Sequence, residues 1–150
     1  MTKRDVLVKI SGSVTEKDNL YQWLAILAKK YRLYILCGGG AAITDKLNEA
    51  KIPSKFKDGR RIIKSEEGRK LAAEALEKKR VIVENELRRR GISASVFSPV
   101  IKFGDKTCHI NGDHFVRMAY HNFSRVFVAT SSGTNKDSLK VIKGIKIVRL

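Results

Sequence analysis

Val6-Leu7-Val8-Lys9-Ile10-Ser11-Gly12-Ser13 is an almost unbroken apolar run that ends in a glycine loop. Such a run reads as a strand buried on both faces, the kind a parallel sheet requires. The arrangement returns at Leu33-Tyr34-Ile35-Leu36, which runs into Cys37-Gly38-Gly39-Gly40-Ala41. A helical pattern follows each loop. Glycine lets the backbone turn sharply and approach a ligand closely. The N–H groups that open the next helix then favour an anion. Lys9 adds a full positive charge beside the first loop. A lysine inside an apolar strand is costly unless its ammonium finds a partner. Two glycine loops and one such lysine predict a phosphate-handling site on an α/β sheet.

Outward from these loops, strands and helices alternate. Thr15 is placed to cap a helix, with Asp18 as a box-like partner, and Leu20, Trp23, Leu24, Leu27 and Tyr31 recur at helical spacing. A short helix over Ala41–Ala50 turns Ile43 and Leu47 inward. Pro53–Arg61 reads as a loop. Ser65 caps a long or broken helical segment with Glu66 and Glu67 in its first turn, the favourable sign for the dipole. Its apolar stripe holds Leu71, Ala75, Leu76, Ile82, Val83 and Leu87, and it closes on Arg88-Arg89-Arg90-Gly91. Those arginines read as helix-end charge or as a nucleic-acid contact.

Ser93–Ser98 is a third strand and Val100–Ile110 a hairpin around Gly104-Asp105. A helix over Gly112–Asn122 places Phe115, Met118 and Ala119 inward. Arg125–Thr130 is another buried strand, Ser131–Asp137 is turn-rich, and Lys140–Leu150 reads as a terminal hairpin or paired extended segments. This order predicts a three-layer αβα sandwich with a mainly parallel sheet.

The 150 residues fit one domain, 1–150, with 43% hydrophobic and 31% charged residues. No apolar run approaches the roughly 18 residues of a membrane span. The start, Met1-Thr2-Lys3-Arg4-Asp5, enters a strand at once and so predicts no signal peptide. Cys37 and Cys108 lack metal or disulfide spacing, which predicts a reduced, cytoplasmic protein. His109, His114 and His121 have no coherent metal spacing, so no metal site is expected. The net charge is +16. It admits acidic partners or a lysine-rich surface, and no nucleic-acid motif accompanies it.

Four motifs fall in one order: Lys9-Ile10-Ser11-Gly12-Ser13, Gly38-Gly39-Gly40-Ala41-Ala42-Ile43, Phe56-Lys57-Asp58-Gly59-Arg60 and Ile110-Asn111-Gly112-Asp113. Over about residues 5 to 134 the chain resembles the amino-acid kinase family, which includes acetylglutamate, aspartate, uridylate and isopentenyl phosphate kinases. The family's marks are a Lys-x-Gly-Gly-Ser loop, a Gly-Gly-Gly loop, a Gly-x-Arg segment and an Asn-x-Asp at a helix start. The resemblance implies that Lys9 stabilises the transferred phosphoryl group and that Asp113 orients catalytic lysines. It implies backbone donation to phosphate and acceptor from Ser11, Gly12, Ser13, Gly38, Gly39 and Gly40. Arg60 would grip the acceptor's acidic group, with Asn111 beside it.

The implied activity is phosphoryl transfer from ATP, with Mg²⁺, to a small acidic acceptor. Such chemistry needs positioning and charge neutralisation more than covalent catalysis. The chain also departs from the pattern. Ser11 replaces a glycine, Cys37 stands where acetylglutamate kinases have histidine, and Thr130-Ser131-Ser132-Gly133 lacks the family's aspartate. The family's later half, with most of the nucleotide pocket and a second catalytic lysine, is expected to be largely missing. Lys136, Lys140 and Lys143 are candidates for that second charge.

A homo-oligomer or a partner chain would then complete the nucleotide site. The alternative is a catalytically degenerate member that binds an anionic metabolite or acts as a regulatory subunit. A basic nucleic-acid-binding protein is the third reading. Bland readings stand beside each motif: the glycines as tight turns, Asp113 as a helix-start charge, Asn111 as a turn residue, and Cys37 as a reactive thiol or a small apolar filler.

Overall fold

A computed structural model describes residues 2–150. Five parallel strands form one sheet: β1 Arg4–Ile10, β2 Tyr31–Cys37, β5 Ala94–Phe97, β8 Arg125–Thr130 and β9 Ile145–Arg149. Their order is β5-β2-β1-β8-β9. Two hairpins stand off the sheet, β3 Lys55–Lys57 with β4 Arg60–Ile62, and β6 Val100–Phe103 with β7 Lys106–His109. The helices are α1 Asp18–Lys30, α2 Gly40–Glu49, α3 Glu66–Arg89, α4 Gly112–Ala119 and α5 Asp137–Lys140.

Strand alternation divides the core into two layers. Val6, Val8 and Ile10 of β1 join Leu20, Leu24, Val83 and Leu87 of α1 and α3 on one face. Leu7 joins Val116 of α4, Leu139 of α5 and Val126 and Val128 of β8 on the other. A third cluster, including Ile43, Leu47, Ala72 and Leu76, packs α2 on α3. The expected αβα sandwich with a parallel sheet is therefore the observed architecture. Among the described residues, no helix is long and apolar enough to cross a membrane.

The chain leaves β1 toward β2 and β5, and later returns on the opposite side with β8 and β9. β1 is thus the topological switch point, and a crevice opens beyond the carboxyl ends of β1 and β8. The Lys9–Ser13 loop lies at that position.

Several local expectations are corrected. Thr15 does not cap α1: its hydroxyl donates to the Gly12 carbonyl at 2.9 Å, closing the 3₁₀ turn Gly12–Val14. Asp18 opens α1 and pairs with Arg90 at 2.6 Å. Tyr31 begins β2 rather than ending the helix. Pro53–Arg61 is not a loop but holds β3 and most of β4, whose connecting turn residues Asp58 and Gly59 have φ of 52° and 74°. That is an Asp-Gly hairpin turn, signalled by the dipeptide itself. In α4 the buried residue is Val116, while Met118 points to solvent. Lys140–Leu150 forms no hairpin: β9 is a single parallel strand on β8. The α3 helix is unbroken, and Arg89 and Arg90 both bond Glu86, so these two arginines serve the helix end and its tie to α1.

Gly68 lies in the first turn of α3, where glycine normally costs stability. A Cβ there would stand 2.5 Å from Ile63 Cγ2 and 2.9 Å from Ile52 Cγ2. Steric overlap outweighs the roughly 1 kcal/mol of helix propensity that alanine would add. Gly68→Ala should therefore lower stability by about 1–3 kcal/mol in urea unfolding; a stabilised variant would refute this packing.

Candidate active site: a shared carboxylate between two lysines

Lys9 leaves the carboxyl end of β1 on the α4 side of the sheet. Its stem passes between two glycines. A Cβ on Gly112 would lie 2.8 Å from Lys9 Cε, and one on Gly38 would lie 3.4 Å from both Cε and Nζ. Glycine at 112 is what lets α4 come so close to the stem; at 38 the tight neighbour of a Cβ would be the Ile10 carbonyl oxygen, at 3.2 Å. The Lys9 ammonium, almost wholly buried, donates to Ser11 Oγ at 3.3 Å. It faces Asp113 Oδ1 at 3.2 Å as an ion pair without hydrogen-bond alignment. The other oxygen, Oδ2, accepts from Lys136 Nζ at 2.7 Å. Lys136 is also buried.

Asp113 stands in the first turn of α4, where the helix dipole favours a carboxylate. Burial opposes its ionisation, but Lys9 and Lys136 prevail and hold its carboxyl below the usual range. Burial lowers Lys9 to about 8, with Lys136 adding repulsion and Asp113 restraining the fall. At neutral pH the cluster is two ammonium groups sharing one carboxylate, with a net positive charge facing the crevice.

The crevice is a cleft of about 340 Å³. Of the residues singled out in the sequence, Lys9, Ser11, Gly12, Ser13, Gly38, Gly39, Gly40, Asn111 and Asp113 all line it. Two backbone donors expected to face a ligand are already committed. Ser11 N–H donates to the Ala129 carbonyl at 2.9 Å, and Gly38 N–H to the Ile10 carbonyl at 2.8 Å. The first turn of α2, whose N–H groups lack intrahelical partners, supplies donors instead. Gly12 packs against Gly39, where a Cβ would meet Gly39 Cα at 3.2 Å. Asn111 caps α4 by accepting from His114 N–H, and its amide donates to the Gly59 carbonyl. It therefore fastens the β3–β4 turn to α4.

Arg60 is exposed and lines an adjoining depression of about 610 Å³ with His114 and Arg117. The cleft arginine is Arg61. Its guanidinium donates to Gly40 O, Thr44 Oγ1 and Ser54 Oγ and lies 4.5 Å from the Phe56 ring centroid. Three of its five donors are so used. Counting Gly-x-Arg from Gly59 leads to Arg61, so this signal was present in the sequence. Lys136 had no motif to announce it among three lysines in a basic segment. Its loop is pinned by Arg149 of β9, which donates to Ser131 O at 2.9 Å and Thr134 O at 3.1 Å. Cys37 is buried beneath the second loop, and burial pushes its thiol up to about 12, so it is inert filler.

Asp113 is the only carboxylate lining the cleft, and among the described residues no group of three or more His, Cys, Asp and Glu side chains could hold a metal. These residues do not fit a protein-held divalent ion.

No protein-family model matches the sequence, and no curated protein sequence matches it significantly. Solved structures do resemble the fold. The smu.665 protein of Streptococcus mutans UA159 superposes with a TM-score of 0.68 at 16% identity, over 87% of this chain and 76% of that one. An N-acetylglutamate synthase from Neisseria gonorrhoeae, solved with coenzyme A and L-arginine, gives 0.65 at 12% identity. That match covers 92% of this chain but 46% of the synthase. This chain thus spans under half of the synthase's length. An isopentenyl phosphate kinase overlaps less well, at 0.45 and 15% identity, over 85% and 72% of the two chains. The likeness is one of fold.

The lowered Lys9 fixes two opposite pH responses. Sulfate keeps its charge throughout, so its affinity should fall about tenfold or more as pH rises through about 8, with the loss of a charge-assisted bond. Lys9→Met should remove that step. Unfolded Lys9 keeps its proton to its ordinary 10.5, whereas the folded group releases it near 8. The unfolded state binds more protons between these values, so stability should rise with pH there, relative to Lys9→Met. Pairwise titration and urea unfolding of both proteins check the two signs. Arg149→Ala should weaken sulfate binding while Arg149→Lys restores part of it; unchanged binding in Arg149→Ala would refute the pinning role.

Proposed function

We propose that this chain is a phosphotransferase that moves the γ-phosphoryl group of a nucleoside triphosphate to a small acidic acceptor in the Lys9–Asp113–Lys136 cleft. The observation that supports this most is the pair of lysines sharing one carboxylate beside two glycine loops at the switch point of the sheet. In such a transfer an acceptor oxygen forms a bond to the γ-phosphorus while the bridging oxygen departs with the diphosphate. Charge spreads over the equatorial oxygens, and Lys9 and Lys136 would neutralise it. Asp113 holds the two ammonium groups apart and aimed. Arg61 suits the acceptor's acidic group, because a fixed guanidinium can grip two oxygens.

An ionised acceptor oxygen needs no base to deprotonate it. This agrees with a cleft whose one carboxylate is already engaged. Mg²⁺ would arrive on the nucleotide phosphates, since no protein carboxylate set fits it. The fold match to smu.665 is compatible with this reading but carries no activity of its own. The domain assignment, residues 1–150 as one unit, is part of the same proposal. A non-catalytic anion-binding subunit is the competing reading, favoured by the Ser11 and Gly38 N–H groups, which bond within the fold instead of facing a ligand.

Coupled-assay turnover with Mg²⁺-ATP and a panel of small acids decides between them. Wild type should show acceptor-dependent ADP release, and Lys9→Met should lower kcat by about 10²–10³-fold, the scale of losing one transition-state charge contact. Circular dichroism should show the variant folded. Equal turnover in the variant overturns the role of Lys9. Anion binding without any turnover establishes the binding subunit instead.

A further inference from the structure

We infer that the cleft selects an acceptor that is purely anionic, a carboxylate or phosphomonoester on a compact apolar body, and rejects one that also carries an ammonium group. This rests on the acceptor site proposed above and specifies what enters it. The inference follows from the charges that remain available. Lys9, Lys136 and Arg61 place three cationic groups on the cleft, and Asp113 is its one anionic side chain. Both Asp113 oxygens are taken, one by Lys136 at 2.7 Å and one facing Lys9 at 3.2 Å. A zwitterionic amino acid entering here would find donors for its carboxylate and no carboxylate for its ammonium. It would add a fourth positive charge to a partly buried site, where like charges repel through a low dielectric.

His109, which also lines the cleft, adds no anion; burial and the neighbouring Arg61 lower it, leaving a neutral imidazole at physiological pH. The wall also carries the apolar side chains of Ile43, Phe56, Leu76, Pro99 and Ile110, and its other polar side chains, Ser11, Ser13, Asn111 and Thr134, are neutral. Phe56 is 64% exposed, so its ring is open to a ligand on the side away from Arg61. Such a wall rewards a hydrocarbon body and leaves a second ionic group unpaired.

The test uses acids matched except for the amine. Calorimetry compares 4-methylpentanoate with leucine, and glutarate with glutamate, with inorganic sulfate as a check that the anion site is occupied. In each pair the amine-bearing partner should bind at least about tenfold more weakly, a 1.4 kcal/mol penalty. Leucine or glutamate binding as tightly as its partner overturns the inference while leaving the anion site intact. Failure of sulfate and all four acids to bind overturns the anion reading itself and this inference with it. Lys136→Met releases one Asp113 oxygen, so the discrimination should shrink in that variant. An undiminished penalty would show that the shared carboxylate is not its cause.

Discussion

Everything at the carboxyl end of the sheet answers to one requirement, an ammonium group almost buried on the central strand. Desolvating a charge costs far more than a typical contact returns, unless a partner is brought to it. The partner comes from α4, whose first turn delivers Asp113. For α4 to approach that closely, residue 112 must lack a side chain, since any Cβ would press on the lysine stem at 2.8 Å. A Cβ at 38 would only touch the same stem, at an ordinary 3.4 Å. Buried pairs of this kind add little to stability compared with an apolar replacement. Stability alone therefore does not account for the pair.

Lys136 enters this arrangement from a different direction, and its placement depends on the sheet edge. The loop after β8 is polar and contains a positive-φ glycine at 133. By itself such a loop has little to fix it. Arg149 fixes it from β9 by bonding two of its carbonyls. β9 in turn exists only because Val126–Thr130 offers it a parallel partner in register. The second lysine is thus tied to the last strand of the sheet. The edge strand and the charge cluster are linked through Arg149.

The fold was legible because buried strands and amphipathic helices leave strong periodic marks. β1, β2 and β8 follow directly from their apolar runs, and the capping role of Ser65 is seen in its bond to Gly68 N–H at 3.0 Å. What was hidden depended on pairings distant in sequence. Thr15 looks like a cap, but the Gly12 carbonyl claims its hydroxyl and Lys79 reaches it from α3 at 3.3 Å. The alternating tail Lys140–Leu150 reads as a hairpin or as paired extended segments, and pairing with β8 makes Ile145–Arg149 within it a single parallel strand. At the site, Lys9 and both glycine loops were legible from their strand-end positions, whereas Asp113, at a helix start, was singled out only by the family resemblance. Arg61 was legible in principle and displaced by one residue, and one residue on a hairpin moves a side chain to the other face. Lys136 was not legible, because its role is set by Arg149 and Asp113, each more than ten positions away.

One carboxylate between two lysines leaves the cluster short of neutral, and the proposed anion site rests on that shortfall. With two carboxylates the lysines would be satisfied and indifferent to a ligand. With none they would repel, and Lys9 would fall further below its already lowered value of about 8. The single Asp113 keeps both charged and close while reserving one unit of positive charge for whatever anion enters. An entering anion supplies the counter-charge that burial withholds, so it also raises Lys9 toward its ordinary value. Anion binding and full protonation of Lys9 are thus the same equilibrium viewed from two sides. On the proposed reading, the reserved charge would meet the oxygens of the transferring phosphoryl group, over which the charge is spread in the transition state.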